Sequence, residues 1–192
     1  MGVLTLGSAL AADDVQVEVL DQPQGAPVIR GTTVLEAPVP AVREVLLDLP
    51  SYPRFMPNTL AAEWVPLPGG KKGSYLHYHF PWPLSDRDSV STFEAEDLPG
   101  GGMRLTTHDI VVPERPARDG LVRLTPLRSL WTLEPKERGT KTRVVYEYLG
   151  ELGGNIPDVL LQYEWNQQPV RVLNALGAEV ARRFAPDAGA RP

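Results

Sequence analysis

The sequence predicts an α+β domain in which a curved antiparallel sheet wraps around one long C-terminal helix. Between about residues 59 and 149, six strand-like runs alternate with turn-forming segments rich in Gly and Pro. From about residue 157 to 184, apolar residues recur at helical spacing. Consecutive strands joined by short loops are typical of an antiparallel meander, and the long helix is the only predicted element able to cover one face of it.

The composition is that of one globular domain. The 192 residues are 42% hydrophobic and 22% charged, which suits a chain with a single core. A net charge of −5 with scattered Lys and Arg argues against a nucleic-acid partner. The absence of cysteine excludes disulfides and Cys-ligated zinc. No apolar run reaches the roughly 20 residues that a membrane span requires.

Residues 1–27 are interpreted as an N-terminal extension. Their apolar stretch closes on the small-x-small triplet Ala9-Leu10-Ala11 and is followed by acidic residues, as at the end of a signal peptide, although a basic segment is missing. This pattern favours the remnant of a signal peptide and a bacterial protein that is periplasmic or secreted. The alternative is a frayed, Ala-rich terminus of a cytoplasmic protein.

The domain itself is predicted to span 28–184 and to open with one strand and two short helical segments. Val28–Leu35 is rich in β-branched residues and is typical of a strand. Helical spacing over Ala41–Leu49, with Pro40 at the first position, predicts a helix. Two prolines end that helix, so 51–57 is predicted to be a second short helix or a turn.

The strand-like runs fill the middle of the chain. Segments such as Pro-Gly-Gly-Lys-Lys-Gly and Pro-Gly-Gly-Gly separate them, whereas the segment 110–120 carries two prolines and receives no assignment. The six runs are Thr59–Pro66, Lys72–Phe80, Arg87–Glu96, Met103–Asp109, Gly120–Pro135 and Thr140–Leu149.

The last predicted element is a helix from Pro157 to Phe184, and 185–192 is predicted to be a disordered tail. Pro169 predicts a kink in this helix. A straight helix against a curved sheet leaves a gap lined by the inward half of each strand, which is apolar enough to hold a ligand. The apolar stripe of the helix consists of Leu161, Trp165, Val172, Leu176 and Val180.

Three segments together resemble a known family. Val34–Asp48 followed by Tyr52–Pro57 is similar to the strand and helix pair that opens its domains. Pro81–Asp88 is similar to its aromatic-Pro-x-x-x-Arg-Asp entry into a central strand, and Gly153–Pro157 is similar to the Gly-x-Ile-Pro start of its C-terminal helix. Over 28–184 the chain resembles the START-type members of the helix-grip (SRPBCC) superfamily, which also contains birch-pollen-allergen-like proteins and polyketide cyclases.

The resemblance implies a cavity for a lipid, sterol or similar hydrophobic molecule, with the N-terminal helices as its lid. We expect a monomeric carrier that transports or sequesters such a ligand without catalysis or a cofactor. The alternative is a polyketide cyclase or aromatase that uses the same cavity. In a third hypothesis, the lid residues Tyr52, Phe55 and Met56 contact a membrane transiently or bind another protein.

Aromatic residues at inward strand positions are predicted to contact the ligand. On Thr140–Leu149 the charged phase must face water, so Tyr146 and Tyr148 point inward, and the hydroxyl group of a buried tyrosine needs a partner that a ligand can supply. The alternative is an aromatic core whose hydroxyls are satisfied by the backbone or by water. The predicted ligand-binding residues are Tyr78, Trp82, Arg87, Trp131, Tyr146, Tyr148 and Trp165.

Arg87 has two possible roles. Flanked by Asp86 and Asp88 at the start of a strand, it can point into the cavity and bind a carboxylate or hydroxyl group of the ligand. Alternatively it makes a structural salt bridge that holds the Pro81–Asp88 loop. The structural role is favoured because a buried, unpaired guanidinium would cost too much free energy.

The positions of the histidines in the sequence indicate solvated or edge side chains rather than a metal site. His77 and His79 share one face of their strand, opposite the more apolar phase that contains Tyr78, and only His108 could complete a set of three imidazoles. Motifs of a phosphate-binding loop, a nucleophile elbow or a dinucleotide site are missing from the sequence. We therefore predict no metal ligand and no catalytic residue.

Overall fold

The structure is a computed structural model that describes residues 15–23, 25–82, 84–150 and 158–184. For residues 150 and 158–166 it describes the backbone alone. The predicted signal-peptide site, the Gly153–Pro157 segment and the tail 185–192 lie outside the described residues.

The described chain contains ten strands, two α-helices and three short 3₁₀ turns. The helices are α1 (Val39–Leu47) and α2 (Asp158–Phe184), and the 3₁₀ turns cover Leu49–Arg54, Pro68–Gly70 and Glu137–Gly139. The strands are β1 (Gln16–Leu20), β2 (Val28–Leu35), β3 (Thr59–Pro66), β4 (Lys72–Tyr78), β5 (Arg87–Thr92), β6 (Glu94–Leu98), β7 (Gly102–His108), β8 (Val122–Arg123), β9 (Leu127–Lys136) and β10 (Lys141–Gly150). Neither helix combines the length and the apolar character needed to cross a membrane, as far as the described residues go.

The strands form two sheets, and α2 packs against the larger one. The first sheet has the order β1-β2-β10-β9-β7-β6 and is antiparallel throughout. The second has the order β3-β4-β5-β8, in which only the short β8 is parallel to its neighbour. The predicted α+β architecture of a curved antiparallel sheet and a C-terminal helix is confirmed.

Two predicted strands are each divided in the structure. The run Arg87–Glu96 breaks at Phe93, so β5 belongs to the second sheet and β6 to the first. The run Gly120–Pro135 breaks at Pro126, which has no N–H to donate to a sheet. At this break the backbone N–H of Leu127 donates to Asp109 Oδ1 at 3.0 Å. The prediction of single strands was wrong here because hydrophobic patterning does not show where a chain passes from one sheet to another.

A strand that the sequence analysis did not predict precedes the first predicted one. The strand β1 pairs antiparallel with β2, from Gln16 opposite Thr32 to Leu20 opposite Val28. Its side chains are mostly exposed, and Arg30 on β2 links Glu18 on β1 to Glu147 on β10. The strand therefore has almost no buried alternate phase, which is the signal that reveals a strand in a sequence.

The helix α1 covers Val39–Leu47, whereas helical spacing in the sequence was found over Ala41–Leu49. Pro40 then lies in its first turn, where a missing N–H costs nothing, and Val42, Val45 and Leu46 are completely buried. The following Leu49–Arg54 turn contains two prolines and is a 3₁₀ helix rather than an α-helix. It brings Tyr52 to the interior, where its hydroxyl donates to the carbonyl oxygen of Leu46 at 2.6 Å.

The contact between α2 and β2 is so close that only glycine fits at position 31. A Cβ atom there would lie 2.8 Å from Leu173 Cδ1 and 2.8 Å from Pro169 Cβ, both on α2. Leu173 and Leu176 are completely buried, whereas the predicted stripe included Leu176 but missed Leu173. The glycine thus fixes how near the middle of the helix lies to the sheet.

The interior changes from a packed core to a cavity along the strands. At the α1 end, Leu133 of β9 and Val144 of β10 are completely buried in the main hydrophobic core. Further along the same strands, the inward positions are Trp131 on β9 and Tyr146 on β10, and these residues line a cavity. The strands therefore supply packing at one end and a cavity wall at the other.

Candidate functional site

The cavity has a volume of about 170 Å³ and lies between the two sheets, α2 and the 3₁₀ turn after α1. Its apolar walls come from aliphatic and aromatic side chains of several elements. The aromatic residues among those that line it are Tyr52, Tyr78, Phe80, Phe93, Trp131, Tyr146 and Tyr148.

The aromatic side chains pack on one another in the first sheet. The Trp131 and Tyr146 rings stack with their centroids 4.2 Å apart, and Tyr148 lies beside them with its ring centroid 6.5 Å from that of Tyr146. Such pairs hold each ring in one orientation, since offset-stacked rings are preferred over loose contacts. The wall formed by β9 and β10 is therefore a rigid aromatic surface.

The cavity tyrosines are neutral at ordinary pH. Burial raises the pKa of Tyr78 to about 12, although a hydrogen bond with Ser89 opposes this. Burial likewise raises the pKa values of Tyr52, Tyr146 and Tyr148 above the ordinary value of a phenol. These hydroxyl groups can therefore donate and accept hydrogen bonds, but they are poor proton acceptors in acid–base chemistry.

Small hydroxyl groups line the cavity on both sheets. Ser74 on β4 faces Ser91 on β5, and Ser89 lies two residues along, where its Oγ is 3.5 Å from the hydroxyl of Tyr78. On the first sheet, Thr107 Oγ1 and Ser129 Oγ are 2.8 Å apart and satisfy each other. The sequence analysis missed the serines of β5, because Val90 of the same strand is apolar and gives the opposite phase the stronger inward signal.

That opposite phase of β5 packs into a second, smaller core. Val90 is 1% exposed and lies with Val65, Leu67, Tyr75 and Val112 on the outer side of the second sheet. Both faces of β5 are thus buried, one by a hydrophobic cluster and one by the cavity. The alternation rule, which assumes one wet face, cannot choose between them.

The predicted lid residues lie together at the 3₁₀ turn. Tyr52 and Met56 line the cavity, and Phe55 packs edge-on against Tyr52 with ring centroids 5.6 Å apart. The lid role of the three residues stays a prediction.

Arg87 is buried beside the cavity but is not one of the residues that line it. The side chain is 2% exposed, its guanidinium lies 4.4 Å from the ring centroid of Phe80, and it donates a hydrogen bond to the carbonyl oxygen of Ser85. Desolvation lowers the pKa of Arg87, and Asp86 opposes this. The contact with Ser85 agrees with the structural alternative, in which Arg87 holds the Pro81–Asp88 loop, and the salt bridge of that alternative stays a prediction.

The flanking carboxylates have other partners. Asp88 is completely buried and accepts two hydrogen bonds from Arg123, at 2.6 Å from Nε and 3.0 Å from Nη2. Asp86 accepts from the backbone N–H of Phe80 at 3.0 Å, and this bond together with His79 lowers the pKa of Asp86. Neither carboxylate faces the cavity as a lining residue.

Two further predicted residues are not among the described residues that line the cavity. The Trp82 side chain is 92% exposed and is not part of the wall. Trp165 belongs to α2, but its side chain lies outside the described residues. The structure brings Tyr78, Trp131, Tyr146 and Tyr148 together around one space, and their contact with a ligand stays a prediction.

The histidines are divided between two places. His77 Nε2 and His79 Nδ1 lie 3.3 Å and 3.1 Å from the two carboxylate oxygens of Asp86, while His108 Nδ1 lies 2.9 Å from Thr92 Oγ1. Within the ranges that the structure describes, no group of three His, Asp or Glu side chains is arranged so that it could hold a metal ion.

Comparisons with known proteins agree on one family. The profile of the family described as polyketide cyclase/dehydrase and lipid transport matches residues 35–163, which is more than half of the chain. The rat (Rattus norvegicus) phosphatidylcholine transfer protein is 28% identical over 149 residues, covering 75% of this chain and 68% of that protein.

Solved structures show the same fold. A fragment of a STAR-related lipid transfer protein from Xanthomonas axonopodis is 27% identical, has a TM-score of 0.75 and covers 90% of this chain and 99% of that one. The Zhui aromatase/cyclase from Streptomyces sp. R1128 is 19% identical with a TM-score of 0.57, over 84% of this chain and 97% of that one. At 19% identity, the similarity to the aromatase/cyclase shows a shared fold alone.

Proposed function

Because this chain belongs to the polyketide cyclase/dehydrase and lipid transport family, we propose that it binds a hydrophobic small molecule in its cavity and carries or sequesters it without converting it. The cavity wall is the observation that supports this proposal. Aromatic and aliphatic side chains surround it, and burial of apolar ligand surface contributes about 0.8 kcal/mol per CH₂. A wall of this kind is sufficient for affinity without any reacting group.

The polar groups of the wall favour a carrier over an enzyme. Among its described lining residues there is no carboxylate, imidazole or amine, and the charged group is Arg171, which already has an interaction partner. A cyclase needs a group that accepts or donates a proton near the operating pH, and the cavity tyrosines are held neutral by their raised pKa values. The aromatase/cyclase hypothesis therefore ranks second.

The volume of the cavity bears on how a ligand enters. At about 170 Å³ it is close to an apolar cavity of about 150 Å³ that holds benzene, and it lies below the roughly 300–1,000 Å³ of drug-sized sites. A ring or a short chain fits the cavity as it stands. A two-chain lipid requires the Leu49–Arg54 turn or the first half of α2 to move away from the sheets.

Blocking the cavity tests the proposal. Leu76 on β4 lines the cavity, and we expect Leu76→Trp to abolish saturable binding of Nile red, a neutral hydrophobic dye, by the purified protein. Leu60→Trp, the same change at a position that is 53% exposed, is the matched control and retains binding. Equal binding by the two variants, with melting curves that show both folded, would contradict a ligand site in this cavity.

The remaining expectations stay as predicted from the sequence. They are a monomeric state, transient contact with a membrane through the lid, and a periplasmic or secreted location.

A further inference from the structure

Two buried polar atoms of the cavity wall have no hydrogen-bond partner within the described part of the chain. One is Ser91 Oγ on β5, and the other is Gln168 Oε1 on α2. They belong to two different walls, since β5 is part of the second sheet and α2 covers the first. Buried polar atoms without a partner are rare in folded proteins, and each of them requires an explanation.

The amide group of Gln168 is held in place by one of its two ends. Its Nε2 donates to the hydroxyl oxygen of Tyr146 at 3.0 Å, and the Tyr146 ring is in turn stacked on Trp131. The other end, Oε1, is an acceptor that only an O–H or N–H group can satisfy. A rigid aromatic support thus presents an unused acceptor at the cavity.

Ser91 stands in a similar position on the facing strand pair. Its Cα is paired with that of Ser74, and both side chains line the cavity, with Ser89 next to them. A serine hydroxyl can donate or accept, so Ser91 adapts to whichever polar group reaches it. By contrast, the hydroxyl groups of Thr107 and Ser129 already satisfy each other.

Resting on the proposed function, we propose that the ligand is uncharged and carries a hydroxyl group that donates to Gln168 Oε1, with Ser91 binding its oxygen or a second polar group. A carboxylate or phosphate oxygen only accepts hydrogen bonds and therefore cannot serve Gln168 Oε1. A quaternary ammonium group neither donates nor accepts. An ether or ketone lacks the necessary O–H, so the hydroxyl compound is the one that matches.

The charge of the wall agrees with this assignment. Its described lining residues include no acidic side chain to pair with a cation, and its charged residue, Arg171, is already engaged. Moving an isolated ion from water into such surroundings is strongly unfavourable. Alcohols and other neutral hydroxyl-bearing hydrophobes are the chemical class that this wall can desolvate.

The test compares four probes of similar chain length on the wild-type protein, each titrated by ¹H–¹⁵N NMR. 1-Octanol and heptyl methyl ether are isomers that differ in the O–H donor, and octanoate and octyltrimethylammonium add a charge of either sign. We expect octanol to bind roughly tenfold more tightly than the ether, as one buried hydrogen bond gives, and more tightly than both ions. A purely apolar cavity, or one whose polar atoms are satisfied by water alone, would favour the ether and overturn the proposal.

Two variants locate the effect. In Gln168→Leu the preference for octanol over the ether is expected to disappear, and in Ser91→Ala it is expected to fall by severalfold. Ser85→Ala, the same change at an exposed position outside the cavity wall, is the matched control and leaves the preference unchanged. An unchanged preference in Gln168→Leu would contradict the role of this amide.

The proposed function and this inference fail in different ways. If none of the four probes binds saturably, the cavity is not a ligand site and the proposed function fails. If the probes bind but the ether equals or exceeds octanol, or if an ion binds most tightly, the function stands and the inference is refuted.

Discussion

Replacing Gly31 by alanine tests how closely α2 is seated on β2. The added methyl carbon would lie 2.8 Å from Leu173 Cδ1 and from Pro169 Cβ, whereas carbon atoms in contact prefer about 3.5–4.0 Å. Leu173 is completely buried and Pro169 is part of the helix, so α2 must move away by roughly 1 Å. Overpacking of this kind costs about 1–3 kcal/mol, or a decrease of roughly 2–12 °C in Tm for a domain of this length.

Urea denaturation of the wild type and of Gly31→Ala measures this cost. A double-mutant cycle with Leu173→Ala shows whether the strain is at the predicted contact, because removing the leucine side chain makes room for the methyl group. We expect Leu173→Ala to be less destabilising in the Gly31→Ala background than alone. A Gly31→Ala protein within about 0.5 kcal/mol of the wild type, with additive effects in the cycle, would refute this account of the helix contact.

Two further predictions concern buried charges. Glu179 accepts hydrogen bonds from Arg182 and Arg183, which lower its pKa to about 2 against the opposing effect of burial. Its folded pKa is depressed, so its contribution of up to roughly 3 kcal/mol is complete above about pH 5 and is lost as the pH falls towards 2. Stability measured against pH should therefore decline less steeply in Glu179→Gln, and equal slopes would contradict this. Arg123→Ala leaves the carboxylate of Asp88 buried and unpaired at a cost of about 3–5 kcal/mol in urea denaturation. The double variant Asp88→Asn/Arg123→Leu should recover much of that loss, and a fully stable Arg123→Ala would show that the pair is not needed.

The sequence predicted the order of the elements because their patterns are local. Val28–Leu35 and Thr59–Pro66 have the same bounds in the structure as in the prediction, since strand-like runs between turn-formers need no tertiary information. The position of β10 was predicted within one residue, and its alternation correctly placed Tyr146 and Tyr148 inward. When one of the two alternating sets of side chains on a strand is charged, that set faces water and the other set faces the interior.

Features that depend on two distant segments could not be predicted. The division of Arg87–Glu96 between two sheets depends on where α2 and the other strands lie. The run contains no Gly or Pro, the residues that usually indicate the end of a strand in a sequence. Trp82 was predicted to contact the ligand, yet it is 92% exposed in its loop. The atoms Ser91 Oγ and Gln168 Oε1 lie on segments far apart in sequence, so only the fold shows that they share one cavity.

Native mass spectrometry of the freshly purified protein, followed by solvent extraction and identification of the bound molecule, tests the central claim most directly. We predict a complex that is heavier than the polypeptide by the mass of one neutral hydrophobic molecule, and the loss of that added mass in Leu76→Trp but not in Leu60→Trp. A wild-type protein that shows only the polypeptide mass, and that fails to take up any hydrophobic molecule offered to it, would contradict the claim that this cavity is a binding site.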